Sequence, residues 1–456
     1  MQNSSLNKTV SDAKKAFFVG IGGVSMASLA RYFKSTGREV CGSDRTESAA
    51  TRSLERDGVR VFIGHDAKNV GDADLVVYSA AIPSDNPEIE AAKEKHVPTL
   101  SRAEFLGAIM ADHKVRIGIS GSHGKSTATA MAAKLMLDAG RDPTVMCGAD
   151  TFELQGAYRL GKDKRDFLFE ACEYRDSFLS FNPNIAVVLN VDLDHTDYFA
   201  DLDAVVGSFE KFAKISSDCG GAVLACADDE GAVRAVKNEY AITFGIEKEA
   251  DYRAVGVESE SGFARFSVSR FDEPYIGKIA LAVPGYHNIY NALATVALGD
   301  LLGVPADVIT SSIEGFRGIP RRFEKKKSVG GADVYVDYAH HPREIEATLK
   351  AARDVCRGRL ITVFEPHTYS RTKSLFDGFV KAFENADIKI FTDIFAARET
   401  DDLGVSSKIL ADAAGGVYAA SYADAASVVL REAKDGDLVL ILGAGTINTL
   451  SDMLGG

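Results

Sequence analysis

Proline is scarce in this chain, 11 residues against 41 glycines in 456, and the six cysteines are scattered. Few prolines and many glycines leave little rigid linker and many tight strand-to-helix turns. Cys41, Cys147, Cys172, Cys219, Cys226 and Cys356 form neither a CxxC pair nor a dense staple. That pattern excludes a disulfide-built scaffold and a cysteine zinc site, and it fits a reducing cytoplasm. No apolar run approaches a membrane span, and the polar N-terminus lacks the apolar core of a secretory signal, so no membrane insertion is expected. Positive charge is also short, with 52 Lys and Arg against 65 Asp and Glu for a formal net charge of −13. A dedicated nucleic-acid binder is thereby disfavoured, while local phosphate sites stay open. What is present, 46% hydrophobic and 26% charged residues, is the composition of a globular protein. The length suggests about three domains, although two large ones would also fit it, and a monomer or homodimer is expected.

Elements alternate along the chain. A polar lead-in, 1–14, is expected to be loosely attached. A short apolar strand at 16–20 then enters Gly20-Ile21-Gly22-Gly23, and 24–36 repeats apolar residues at helical spacing. Strands expected at 39–42, 60–63, 75–78 and 97–100 complete a parallel α/β unit. A second unit starts with a strand at 115–119 and a helix running through Asp138. Its further strands are expected at 167–170 and 185–191, and an antiparallel region at 252–283. A third α/β unit carries strands expected at 334–337, 360–364, 388–392, 416–419 and 438–442. The expected domains are 1–114, 115–320 and 321–456.

The sharpest motif is Gly121-Ser122-His123-Gly124-Lys125-Ser126-Thr127, lying between a strand and a helix. A glycine-rich turn aims backbone N–H groups at phosphate, Lys125 adds a mobile positive charge, and the Ser126 hydroxyl suits magnesium. The strict pattern wants glycine where this chain has Ile119, so the loop is a shortened variant. Glu170 and His195, the latter within Asp192-Leu193-Asp194-His195-Thr196-Asp197, end other strands of the same unit. Parallel strands deliver their C-terminal ends to one edge, where both residues can converge with Ser126 on metal-bound ATP. The Gly20 turn can meet a pyrophosphate too. Ser25 stands where a dinucleotide fingerprint has its third glycine, and Asp44 sits at a strand end like a ribose ligand. A nicotinamide enzyme is therefore a rival on these residues. Two polar loops, Asp337 to Pro342 and Glu365 to Arg371, each follow a strand and precede a helix, and Arg321-Arg322 offers a phosphate contact.

Taken in this order, the segments resemble the ATP-dependent Mur ligase family over essentially the whole chain after the lead-in. The resemblance implies a three-domain α/β architecture: a Rossmann-like N-terminal UDP-substrate domain, a central P-loop ATPase domain, and a Rossmann-like C-terminal domain that closes over the site. It displaces the nicotinamide reading by making Gly22 and Gly23 part of a UDP-binding turn. Ser43, Asp44, Ser79 of the Ser79-Ala80-Ala81-Ile82 segment, and Asn86 are its other implied substrate contacts. Gly121, Ser122, His123, Gly124, Lys125, Ser126 and Thr127 correspond to the ATP loop, and Ser126, Glu170 and His195 to the residues that hold Mg2+. His287, Asn288 and Asn291 correspond to the adenine-side segment, Arg322 to a phosphate contact and Asp337 to a nucleotide contact, with Tyr338 beside the substrate.

The His340-His341-Pro342 and His367 to Arg371 segments favour the alanine-adding branch of the family. Arg371 is then the candidate for the amino-acid carboxylate, and His195 or His367 the candidate base. Thr368 stands where an arginine is common, and 171–176 is less acidic than in many relatives, so no catalytic role attaches to Glu173 or Asp176. The implied substrates are ATP, UDP-N-acetylmuramate and L-alanine, joined through an acyl phosphate in peptidoglycan precursor synthesis. Alternatives are a muropeptide-recycling ligase that attaches a tripeptide to the same sugar acid, and a non-catalytic sugar-nucleotide-binding regulator.

Overall fold

The computed structural model describes residues 2–79, 81–195, 198–397, 399–400 and 402–455, and for 2–5 the backbone alone. Ala80, Thr196 and Asp197, named above within motifs, lie outside the described residues. Among the described residues three sheets form.

The first holds β1 (Lys15–Val19), β2 (Glu39–Asp44), β3 (Arg60–Ile63), β4 (Leu75–Tyr78) and β5 (Thr99–Ser101), all parallel, in the order β3-β2-β1-β4-β5. Order reverses between β1 and β4, the point where open α/β sheets take ligands at their C-terminal edge. The loosely attached lead-in is corrected: Gln2–Asp12 is a helix. Val10 is 4% and Ala13 6% exposed. Arg38 Nη1 donates to the Val10 carbonyl at 2.8 Å, tying that helix down. Its few apolar residues gave too weak a periodic signal against a polar background.

The central sheet contains β6 (Val115–Ser120), β7 (Thr144–Thr151), β8 (Gly156–Arg159), β9 (Asp166–Ala171), β10 (Ile185–Val188), β11 (Ala222–Cys226), β12 (Ala241–Gly245), β13 (Tyr252–Glu260), β14 (Phe263–Arg270) and β15 (Glu273–Pro284). Their order is β15-β14-β13-β12-β11-β10-β6-β9-β7-β8. Around β6 the neighbours are parallel, so β6, β9 and β10 send their C-terminal ends to one edge. β13, β14 and β15 are the expected antiparallel extension. β10 ends at Val188 rather than 191, because the chain turns there: the Ser122 and His123 N–H groups bond to Asn190 at 3.0 and 2.8 Å.

The third sheet runs β16-β17-β21-β18-β19-β20, from β16 (Glu324–Val329), β17 (Ala332–Asp337), β18 (Leu360–Phe364), β19 (Ile388–Phe391), β20 (Val417–Tyr418) and β21 (Leu438–Leu442). β16 carries the run Lys325, Lys326 and Lys327 and is an antiparallel edge strand, where lysines guard an open edge against further pairing.

Packing divides unevenly. One apolar cluster runs from Phe18, Phe33 and Phe105 of the first unit into Phe167, Phe178 and Phe212 of the central one. The third unit keeps separate clusters, one around Leu349, Phe364 and Leu440 and one around Ile361, Val363 and Val439. Its links to the phosphate loop and the segment after β10 are polar, and a polar interface separates more readily than an apolar one.

Candidate active site

Three strand ends build the central floor. β6 leads into Gly121, whose φ of 147° and Cβ position 2.9 Å from Leu189 Cβ leave room for no side chain. Gly124, at φ 82°, then starts the Lys125–Asp138 helix. Lys125 reaches back under this turn. Its Nζ donates to Gly121 O at 2.5 Å, to Ser122 O at 3.0 Å, and to both carboxylate oxygens of Glu173 at 3.0 and 3.2 Å. Burial disfavours its charge, but Glu173, Cys172 and Glu170 outweigh that and raise its pKa above the usual lysine value. From the end of β9, Glu170 Oε2 accepts from Ser126 Oγ at 2.8 Å and from Gly148 N at 2.8 Å. His195 has a left-handed φ of 53°, and its Nε2 lies 3.7 Å from Glu173 Oε1.

The third unit meets this floor through paired charges. Arg371 Nη2 and Nε donate to Asp194 Oδ1 at 3.0 and 3.3 Å, and Nη1 faces His367 Nδ1 at 3.2 Å. Asp194 is buried, which opposes its charge, but Arg371 and His195 hold its carboxyl well below the ordinary range. Burial, with His340 and Arg371 nearby, pushes the His367 imidazole down to about 4. His123 of the phosphate loop sits between Asp192 at 3.2 Å and Glu344 of the third unit at 3.3 Å. Burial opposes its charge, yet those two partners push it up to about 9. Glu344 also faces Arg322 at 3.8 Å and the His340 N–H at 3.1 Å.

His123, Asp192 and His341 together could hold a cation by ligand type. Arg343 Nε at 3.1 Å from Asp192 makes the group a hydrogen-bonded clasp between units instead. The adjacent histidines diverge: His340 Nδ1 is 3.0 Å from Tyr338 O, while His341 caps the Pro342–Val355 helix.

A cavity of about 430 Å³ opens beside this clasp. Its central wall holds His123, Gly124, Thr127, His287, Asn288 and Asn291, and its third-unit wall Arg322, Asp337 and Glu344. Eight of the residues expected on the nucleotide thus face one space. Asn291 Nδ2 donates to Asn288 Oδ1 at 3.0 Å. Asp337 accepts the Phe323 and Ala339 N–H groups at 2.6 and 2.7 Å, and burial pushes its carboxyl up to about 6. Tyr338 lies under both Arg321 and Arg322, at 4.9 and 5.0 Å from the ring centre. Thr368 caps the Tyr369–Ser374 helix that carries Arg371 and has φ 67° and ψ 144°, unusual for a β-branched residue.

The first unit presents its own edge. Gly22 N donates to Asp44 Oδ2 at 2.9 Å, and a Cβ on Gly22 would lie 2.8 Å from that oxygen, so the turn and the acid are fitted to each other. Gly23 precedes the Val24–Ser35 helix, and Ser79 follows β4 at the same edge. Two expected contacts have internal partners: buried Ser43 donates to Glu88 at 2.6 Å, and Asn86 accepts the Glu88 N–H at 2.9 Å. Glu88 also lies 2.8 Å from His65 Nδ1, a buried polar knot with no local sequence signature. Glu173, Asp192, Asp194 and Glu344 carry no assignment from sequence, since each is defined by a partner distant in the chain.

Family comparisons match in the same three pieces. Residues 15–114 match the Mur ligase family, catalytic domain, 119–299 the Mur ligase middle domain, and 321–445 the Mur ligase, glutamate ligase domain. A UDP-N-acetylmuramate–L-alanine ligase of Clostridium novyi (strain NT) is 43% identical over 98% of this chain and 99% of its own length. The chain belongs to the Mur ligase family. A like-named relative of Caldanaerobacter subterraneus subsp. tengcongensis is 44% identical over 95% of each chain. Among solved Mur ligases, the UDP-N-acetylmuramate-alanine ligase of Thermotoga maritima superposes with a TM-score of 0.81 at 28% identity, over 96% of this chain and 98% of that one. A murein peptide ligase of Psychrobacter arcticus shares the fold at TM-score 0.73 and 24% identity, over 97% and 98%. The three-domain α/β Mur ligase architecture expected from the motifs is the one observed.

Proposed function

We propose that this Mur ligase joins L-alanine to UDP-N-acetylmuramate at the expense of ATP, giving UDP-N-acetylmuramoyl-L-alanine, ADP and phosphate. One observation carries the reading: relatives bearing that activity in their names align from end to end at 43–44% identity, leaving no domain of this chain unmatched. The muropeptide-recycling alternative rests on a likeness of fold at 24% identity.

The chemistry follows from the site. A carboxylate resists attack by an amine, so ATP first phosphorylates it to an acyl phosphate. The alanine amine then adds to the acyl carbon, and the tetrahedral intermediate expels phosphate. Lys125 and the phosphate-loop N–H groups offset charge on the phosphoryl group in flight. The Ser126 hydroxyl and the Glu170 carboxylate, joined at 2.8 Å, form a hard oxygen pair that suits Mg2+, with His195 on the same edge. Bound there, the metal would neutralise phosphate charge. Arg371 has five N–H donors and commits three, to Asp194 and His367, which leaves a two-pronged edge for an amino-acid carboxylate. His367, held near 4 and facing Arg371, serves better to orient that guanidinium than to take a proton from an ammonium. Closure of the third unit keeps water from the acyl phosphate. Among the described residues no helix is long and apolar enough to cross a membrane.

Purified protein with ATP, Mg2+ and UDP-N-acetylmuramate, offered L-alanine, glycine, L-serine and the tripeptide in competition, tests the reading by mass spectrometry. The L-alanyl product should dominate. A tripeptide product would establish the recycling activity, and ligand binding without turnover would establish a regulator.

A further inference from the structure

Lys125 has no donor to spare. An ammonium offers three N–H bonds, and Lys125 spends them on two loop carbonyls and on Glu173, whose carboxylate it meets with both oxygens. Glu173 is 1% exposed, so this is a buried ion pair beneath the phosphate loop. The backbone holds the carboxylate there. Arg175 and Asp176, just after it, both adopt left-handed φ near 54° (53° and 55°). Asp176 is pinned by its N–H to Glu173 O at 2.9 Å and by the Tyr198 and Ser208 hydroxyls on its side chain. Consecutive left-handed non-glycine residues are costly and persist only where the surroundings enforce them.

A phosphate on this loop and Glu173 therefore compete for one ammonium. If phosphate takes Lys125, a buried carboxylate loses its cation, a change that is strongly destabilising unless another positive charge arrives. Resting on the reading that this loop binds ATP, we propose that Glu173 makes nucleotide binding conditional on an accompanying divalent cation. The nucleotide draws Lys125 away from Glu173, and the cation that travels with the phosphates restores the charge balance beside it. Glu173 is on this account a positioning residue for Lys125 and an internal rival of the nucleotide. Metal-free nucleotide, which brings only negative charge, is held off. Binding of nucleotide and of cation are then coupled, each strengthening the other by the same factor.

The test is affinity rather than turnover. A fluorescent, non-hydrolysable ATP analogue is titrated into wild-type protein and Glu173→Gln, in excess EDTA and in Mg2+. Gln keeps an oxygen for Lys125 and removes the competing charge. In EDTA the variant should bind at least ~10-fold tighter than wild type, and its gain on adding Mg2+ should shrink by a similar factor. Metal-free affinity that is unchanged or weaker in Glu173→Gln overturns the proposal. Should that variant fail to fold by circular dichroism, Lys125→Met supplies the reciprocal test with Mn2+ alone. Without its lysine, Glu173 should recruit Mn2+ at least ~10-fold more tightly than in wild type without nucleotide, and equal Mn2+ affinity overturns the proposal. Failure of wild type to bind the analogue even with Mg2+ would instead refute the ATP-loop reading, a separate outcome.

Discussion

Arg371→Met separates the job that the structure shows for one guanidinium from the job proposed for it. Nε and Nη2 grip Asp194 across the gap between the central and third units, and Nη1 faces His367. Both partners of the pair are largely buried, at 12% and 9% side-chain exposure, so solvent screens it little. The two uncommitted N–H groups form the fork proposed for the L-alanine carboxylate. A hydrogen bond to a charged group is worth about 1.5–3 kcal/mol, and taking 2 kcal/mol gives roughly 30-fold. Met keeps much of the reach and none of the charge. The expected result is a loss of about that size in kcat/KM for L-alanine, against a few-fold for ATP and UDP-N-acetylmuramate. Asp194→Asn weakens the inter-unit grip and leaves the guanidinium in place, though Asp194 Oδ1 also accepts the His195 N–H at 2.6 Å, and its smaller loss should fall on all three substrates alike. Steady-state kinetics with each substrate varied in turn, for both variants and the double variant, read this out. An equal, small loss for all three substrates in Arg371→Met refutes the carboxylate fork and leaves only the grip. A loss confined to ATP moves the residue to the nucleotide side.

Three further outcomes are expected. Lys125→Ala should lower turnover by on the order of 10²-fold or more while UDP-N-acetylmuramate still binds in calorimetry, because the turn proposed for the sugar nucleotide lies on a different sheet; near-normal turnover would remove Lys125 from phosphoryl transfer. Glu170→Gln and His195→Ala should each raise the Mg2+ concentration needed for activity with circular dichroism unchanged, and identical metal titrations in both would take these residues out of the metal site. His123 has its pKa raised from an unfolded value of about 6.5 to about 9, so its contribution is complete below pH 6.5 and is lost as pH rises through 9. Thermal melts over that window should fall more steeply for wild type than for Glu344→Gln, which lacks one of the two carboxylates facing His123; parallel curves would show that the clasp contributes nothing.

Much of the fold could be read from sequence because strand and helix periods are local. β18 and β21 were expected at their observed bounds, and the Gly121 loop was expected between β6 and the Lys125–Asp138 helix. β16 escaped because three lysines in a row obscure strand alternation, and at a sheet edge such residues need no burial. The 2–12 helix escaped because its anchors are a buried valine near one end and an arginine 28 positions on. At the site, glycine, lysine and hydroxyl spacing pointed to a phosphate loop, since those residues sit on one continuous turn. Glu173, Asp194 and Glu344 gave no such sign. Each is an ordinary acid locally and takes its meaning from a lysine 48, an arginine 177 or a histidine 221 positions away.

Thr368 illustrates how local discomfort can serve precision. Its left-handed φ of 67° is one that a threonine avoids, at a cost of order 1–3 kcal/mol. The Thr368 N–H bonds to Phe395 O at 2.9 Å and the side chain caps the next turn, so neighbouring structure keeps the kink in place. Glycine there would relax the backbone, and the folded protein would gain robustness to heat. The same freedom would let the short helix swing, and with it the guanidinium three residues on. Thermal hardiness and accuracy of aim are therefore set against each other at this residue, and a lineage selected for heat resistance alone would be expected to abandon the threonine.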